Sequence, residues 1–304
     1  MSIPRGRRSL VRPNQLLRFS AEEVDDLLDR LEAEVPVSSG LTEIAGSGSA
    51  TALVFADTHG DYPSTEEVVR RFLGADVNCH LIGLGDYIDR PPEDCPHGSV
   101  ANALYLLQVA AAFPDRVHLL QGNHESVRRI PALPHDLPEE VDDLWGPEDT
   151  RYQRIIALLE RGSYAARTTS GAYLCHAGFP SGPPAPFPPE DLRDPPESLV
   201  ADLLWRDPTA SRLDRRVAPA FTERDLKQFL AHIGANVFLR GHDPDLAGRW
   251  IFGDRCLTLN TTRVYESYGG VLLAQLPLGR PFRPPREVLV EHLSTEGRGY
   301  RVPP

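Results

Sequence analysis

The sequence predicts an α/β protein with one main domain, and three observations carry that expectation. Apolar runs of strand length recur along the chain, the stretches between them have helical spacing, and polar clusters stand directly behind the runs rather than inside them. Ala52 to Ala56 leads into Asp57-Thr58-His59-Gly60-Asp61, and His80 to Leu84 leads into Gly85-Asp86-Tyr87-Ile88-Asp89-Arg90. Both acidic clusters thus fall where a buried parallel strand ends, which is where open α/β sheets hold their ligands.

The elements follow in order. Ser20-Ala21-Glu22-Glu23 is a capping box, and Val24, Leu27, Leu28, Leu31 and Val35 continue it at helical spacing. Residues Ser38 to Ala50, with three glycines, predict a turn or short hairpin. A helix over Ser64 to Leu73 joins the first two central strands in a right-handed β-α-β unit. Pro91 to Ser99 is loop, Val100 to Ala112 helix, and Val117 to Leu120 a third strand that ends at Gly122-Asn123-His124-Glu125. Proline and carboxylates in Pro131 to Pro147 predict a surface loop, with helix resuming over Thr150 to Glu160. Tyr173 to His176 alternates as a strand before His176-Ala177-Gly178. Ser181 to Pro196 is too dense in proline for a helix or a ladder. Asp225 to Ile233 is helix and Asn236 to Leu239 strand, with Gly241-His242-Asp243 behind it. Leu257 to Asn260 and Gly270 to Leu276 are expected as antiparallel closing strands. Residues 1–50 are therefore an arm and helix packed on a main domain of residues 51–276, and residues 277–304 a proline- and arginine-rich arm.

Composition narrows the function. A chain of 304 residues, 41% hydrophobic, has enough apolar surface for a sizeable single core. Its formal net charge of −11 opposes a nucleic-acid groove or an anionic membrane surface as partner. No signal-peptide core and no apolar run of about 18 residues occurs, so a cytoplasmic protein is expected. Cys79, Cys95, Cys175 and Cys256 lack metal-binding or framework spacing and are expected as buried thiols.

Asp57, His59, Asp86, Asn123, His176 and His242 each follow an apolar run and offer the oxygen and imidazole donors that divalent metals accept. A lone histidine, or one Asp-x-His, is more often structural; several clusters behind separate strands favour a metal site. Two metals about 3.5 to 4 Å apart need a shared carboxylate and activate a bridging hydroxide against a phosphate. Asp86 is the candidate bridge. His124 suits a general acid for the leaving alkoxide, with Asp89 orienting it. His80, His97, His118, His135 and His232 are read as core or surface residues, and Arg206 as either a surface charge or an extra anion contact.

Taken in order, Asp57-x-His59-Gly60, Gly85-Asp86-x-x-Asp89-Arg90, Gly122-Asn123-His124-Glu125, His176-Ala177-Gly178, Leu204-Trp205-Arg206-Asp207-Pro208 and Arg240-Gly241-His242 resemble the signature of the PPP family of metallophosphoesterases, the family of serine/threonine phosphoprotein phosphatases. The resemblance implies a calcineurin-like β-sandwich flanked by α-helices. It implies one metal on Asp57, His59 and Asp86 and a second on Asp86, Asn123, His176 and His242, with manganese favoured over iron or zinc. It implies phosphate contacts from Arg90, whose fork suits phosphate oxygens, and from Arg215, with Arg216 one step away. The family's Ser-Ala-Pro-Asn-Tyr stretch appears here only as Thr258-Leu259-Asn260-Thr261-Thr262, which leaves Tyr265 and Tyr268 as substitutes for its tyrosine. The expected function is hydrolysis of phosphoserine or phosphothreonine in proteins by a metal-bridging hydroxide, with phosphotyrosine as a variant. Hydrolysis of dinucleoside polyphosphates, and a metal-binding scaffold with an idle site, are the alternatives.

Overall fold

Strands that are apolar on both faces have to be covered on both sides, and this chain covers them with a second sheet inside and helices outside. The computed structural model describes residues 10–301 apart from 39, 148, 183–191, 193, 214 and 294–299. One sheet has the order β1 (Leu41–Ile44), β5 (Ala165–Thr168), β6 (Ala172–Cys175), β7 (Val237–Arg240), β9 (Cys256–Thr258) and β8 (Trp250–Ile251). The other runs β12 (Tyr300–Arg301), β11 (Leu289–His292), β10 (Leu272–Pro277), β2 (Thr51–Phe55), β3 (Cys79–Gly83) and β4 (Val117–Leu119). Both are mixed: β2, β3 and β4 are mutually parallel, as are β6, β7 and β9, while β10 runs antiparallel to β2.

The period of two sorts side chains between layers. Ala52 and Val54 of β2, Ile82 of β3, Leu174 of β6 and Leu239 of β7 meet between the sheets. Leu53, Phe55 and Leu81 face the other way, into a cluster with α2 (Ala21–Glu34), α3 (Tyr62–Gly74) and α4 (Gly98–Ala112). Tyr173, Cys175 and Phe238 face α7 (Glu197–Leu204) and α8 (Glu223–Ile233) on the opposite side. Helix, sheet, sheet and helix layers result, the flanked sandwich that the sequence predicts. Helix α4 is buried nearly all round because α1 (Pro13–Leu16), α2, α3, α5 (Leu137–Trp145) and α6 (Asp149–Leu159) surround it, as its mostly apolar composition requires, and its polar Ser99, Asn102 and Gln108 are hydrogen-bonded. Ser20 caps α2 as expected, its hydroxyl accepting Glu23 N–H.

Several local expectations fail for tertiary reasons. Within Ser38 to Ala50 the chain forms no hairpin; β1 pairs parallel with β5, some 120 residues on, as the register Leu41 with Ala165 records. Pro131 to Pro147 is not all loop, since Pro138 occupies the first turn of α5, where a missing N–H costs nothing. Strand β9 closes its sheet parallel to β7, not antiparallel, although β10 is antiparallel as expected. Residues 289–292, expected in a terminal arm, extend the second sheet as β11. Most of the expected loop Ser181 to Pro196 lies outside the described residues. No helix among the described residues is long and apolar enough to cross a membrane.

Candidate metal centre and active site

The parallel strands of both sheets end on one side of the sandwich, and the predicted ligands stand on the turns that follow. Asp57 and His59 follow β2, Asp86 to Arg90 follow β3, Asn123 and His124 follow β4, His176 follows β6 and His242 follows β7. The turns approach one another closely. A Cβ on Gly122 would strike the Asp86 carboxylate, and one on Gly241 would strike that of Asp57, so only glycine fits there. Asp57, His59, Asp86, Asp89, Arg90 and His242 all have left-handed backbone, with φ of 50°, 43°, 56°, 65°, 53° and 72°. Sharp reversals of this kind turn the side chains back over the strand ends.

Asp86 sits between two clusters of donors. Its Oδ2 is 3.6 Å from His59 Nε2, and its Oδ1 is 3.5 Å from His176 Nε2 while accepting His124 N–H at 3.1 Å. His59 Nδ1–H donates to the Ile88 carbonyl and His176 Nδ1–H to that of Leu84, each at 3.0 Å, so both rings turn an Nε2 lone pair inward. Asn123 Oδ1 lies 2.9 Å from both His176 Nε2 and His242 Nδ1, which are 3.0 Å from each other. Asp57 accepts His242 N–H at 2.9 and 3.0 Å.

The electrostatics fit a cation. Three lone-pair atoms, on Asn123, His176 and His242, converge with at most one proton among them, and His242 Nε2 is buried without a partner. Burial pushes His59 and His176 down to about 4 and His242 further, so all three are neutral and ready to coordinate. Burial, and then the Asp86 charge, raise Asp57 well above the carboxylate range. Burial opposes ionisation of Asp86 too, but the His176, His124 and His59 imidazoles hold it at about 2. Two groups of converging donors share Asp86, one with His59 and His124 and one with His176 and His242, and such carboxylate and imidazole sets suit divalent ions; Asp57 belongs to neither group, its oxygens facing His242 N–H.

His124 stands over this crevice. Its Nδ1–H donates to Asp89 Oδ2 at 2.6 Å, and its Nε2 is buried without a hydrogen-bond partner. Burial works against the charged ring, yet Asp86 and Asp89 outweigh it and raise the His124 pKa. Burial likewise opposes the Asp89 anion, but hydrogen bonds from His124 and His135 hold it far below the usual range.

The two predicted arginines flank the crevice from opposite sheets. Arg90 donates to the Leu133 carbonyl at 2.8 Å and to the Tyr265 hydroxyl at 3.3 Å. Arg215 donates to the His242 carbonyl at 2.8 Å and pairs with Asp207, whereas Arg216 is exposed. Asp207 also holds the fully buried Arg240, which explains the Trp-x-Asp-Pro segment as an anchor for Arg215 and for the turn before His242. Arg206 meets neither expectation. It is 5% exposed, donates to the Phe179 and Pro219 carbonyls, and lies over Phe179.

Of two further contributors, one was among the sequence candidates and the other was read as a core or surface residue. Tyr265 rather than the half-exposed Tyr268 faces the crevice, its ring edge-on to His59 at 5.8 Å. His135 reaches Asp89. All four cysteines are buried and free.

Fold and site together define a β-sandwich protein with a carboxylate, amide and imidazole site for divalent ions at its strand ends. The sequence model of the calcineurin-like phosphoesterases matches residues 50–246, and the chain belongs to that family. It is 25% identical over 265 residues to a probable serine/threonine-protein phosphatase of Encephalitozoon cuniculi, covering 82% of this chain and 54% of that one. It is 28% identical over 173 residues to a PP2A-like serine/threonine-protein phosphatase of Candida albicans, covering 55% and 39%. The chain thus spans about half or less of the length of these curated relatives. Its fold resembles that of a Saccharomyces cerevisiae protein serine/threonine phosphatase with similarity to human phosphatase PP5, at a TM-score of 0.69 over 93% of this chain and 91% of that one, with 17% identity.

Proposed function

We propose that this chain is a metal-dependent phosphomonoesterase that hydrolyses phosphoserine or phosphothreonine in proteins of the cytoplasm. The observation that carries the reading is His124: a ring fixed by Asp89 on one side, with a buried, unpartnered Nε2 on the side of the crevice. A structural histidine would satisfy both nitrogens. In this reading Asp57, His59 and Asp86 hold one divalent ion, manganese first, and Asp86, Asn123, His176 and His242 hold the second. Bound ions of this kind neutralise phosphate charge and lower the pKa of water in the site.

The chain's own residues supply the rest. Arg90 and Arg215 grip the non-bridging oxygens of the phosphoryl group from its two sides. Water gives up a proton to solvent and attacks phosphorus in line with the departing oxygen, and the bond between phosphorus and the serine or threonine oxygen breaks. His124 Nε2–H gives its proton to that oxygen, and Asp89 stabilises the ring in the required orientation throughout. Inorganic phosphate and the free hydroxyl are the products, with no covalent bond to the protein.

The test is phosphorus NMR on metal-stripped protein, before and after adding manganese, with a phosphothreonine peptide, a phosphotyrosine peptide and diadenosine tetraphosphate in competition. Manganese-dependent inorganic phosphate from the phosphothreonine peptide is expected. Preference for the tyrosine peptide would move the residue specificity, nucleoside diphosphate would move the reading to polyphosphate hydrolysis, and no product at all would leave an idle metal site.

A further inference from the structure

Asp89 is wholly buried, and all four of its lone-pair directions are taken. Oδ1 accepts Asp136 N–H at 2.8 Å and Leu137 N–H at 3.2 Å, while Oδ2 accepts His124 Nδ1–H at 2.6 Å and His135 Nδ1–H at 3.0 Å. The fourth donor is the unexpected one. His135 comes from the turn before α5, and its other nitrogen, Nε2, accepts the Tyr152 hydroxyl of α6 at 2.9 Å. Because the Asp89 carboxylate only accepts, Nδ1 must carry the proton, and the Tyr152 hydroxyl steadies the ring from its other side through Nε2. Its side chain is only 16% exposed.

We infer that His135, held by Tyr152, is a positioning residue that locks the Asp89 carboxylate so that Oδ2 presents its remaining lone pair to His124. The inference rests on the phosphoesterase reading of the site. Without the fourth donor the carboxylate gains freedom to rotate about its Cβ–Cγ bond, and the His124 ring loses its fixed direction. The same short segment holds the neighbouring residue, since Asp136 Oδ2 accepts Arg90 N–H at 2.7 Å. A purely structural account makes His135 a tie between α5 and the crevice, which any well-packed side chain replaces. The two accounts part over one atom, the donor at the Nδ1 position.

The experiment compares His135→Ala, His135→Asn, His135→Gln and Tyr152→Phe in the full chain with metal bound, on a phosphothreonine peptide and on an aryl phosphate. An asparagine amide puts an N–H where Nδ1 was; a glutamine amide reaches the Nε2 position instead. His135→Ala and His135→Gln are expected to lower kcat on the peptide about tenfold with KM within about twofold, and His135→Asn to recover most of it. The aryl phosphate, whose leaving group needs little protonation, is expected to lose less. Wild-type kcat in His135→Ala, or a His135→Asn no better than His135→Gln at equal Tm, would overturn the positioning role. A second readout needs no turnover: the low-field His124 Nδ1–H resonance of the metal-free protein is expected to move in His135→Ala and return in His135→Asn. An unmoved resonance overturns the inference, even if wild-type protein that hydrolyses no phosphoester has already removed the reading beneath it.

Discussion

The crevice and its rim are built on different principles. Each crevice donor stands on a short turn behind a parallel strand, and strands β2, β3, β4, β6 and β7 hold those turns in register. The rim is assembled from short segments at residues 133–136 and 263–268 and from Asp207 and Arg215, which meet Arg90, His242 and Asp89 through a few hydrogen bonds. The crevice donors are fixed by strand pairing, whereas the rim segments are fixed by side-chain contacts. The crevice is therefore expected to decide whether phosphoester chemistry happens, and the rim on which substrate and how fast.

Substitutions sharpen that contrast, and the largest effect belongs to the shared carboxylate. Asp86→Asn removes the negative charge common to both donor clusters, and phosphate release from every substrate is expected to fall to background while circular dichroism stays native; retained turnover would break the two-ion reading. His124→Asn comes next, with a loss of about 10²- to 10⁴-fold in kcat on a phosphothreonine peptide and a smaller one on an aryl phosphate, read by steady-state kinetics. Arg90→Lys keeps the charge and loses the fork, so kcat/KM is expected to drop about 10²-fold. Tyr265→Phe deletes one hydroxyl 3.3 Å from Arg90 and should cost only about threefold, differently for different peptides. A loss as large as that of Arg90→Lys would move Tyr265 from the rim into the catalytic group.

The smallest effect on turnover is expected at Glu140, where stability is the better measurement. Its carboxylate accepts Ser99 Oγ–H and Val100 N–H at the start of α4, and burial raises its pKa from 4.5 to about 7. A carboxyl with a higher pKa folded than unfolded favours the folded state most below the unfolded value. That contribution falls as pH rises from about 4.5 through about 7. Denaturant titrations across this window should show the fall in the wild type and a flatter profile in Glu140→Gln.

The same division governs what was legible in the sequence. Every crevice donor was visible because burial on both faces makes a strand apolar throughout, so the first polar residue marks its end. The sandwich itself came with the motif resemblance. Long-range choices were not visible: β1 has four residues, and its partner β5 lies more than 120 positions on, where Leu41 joins Ala165 and Tyr173 in one buried cluster. The rim was the least readable. Nothing around His135 in sequence distinguishes it from a surface residue, and the choice between Tyr265 and Tyr268 stayed open, because the partners Asp89 and Arg90 lie 46 and 175 positions off. Arg206 misled in the opposite way: a cation inside a recognised motif proved to be a buried packing element.

The six left-handed residues around the crevice bear on how such a protein changes over generations. A non-glycine residue in that conformation costs about 1–3 kcal/mol, least for aspartate and histidine and more for arginine, while glycine adopts it freely. Glycine at these positions would relieve that strain, but at Asp57, Asp86 and Asp89 it would also leave without a partner the buried donors that the carboxylates accept. The turns around the crevice are thus pinned by the hydrogen bonds of the very residues they strain, and any substitution there exchanges one cost for the other.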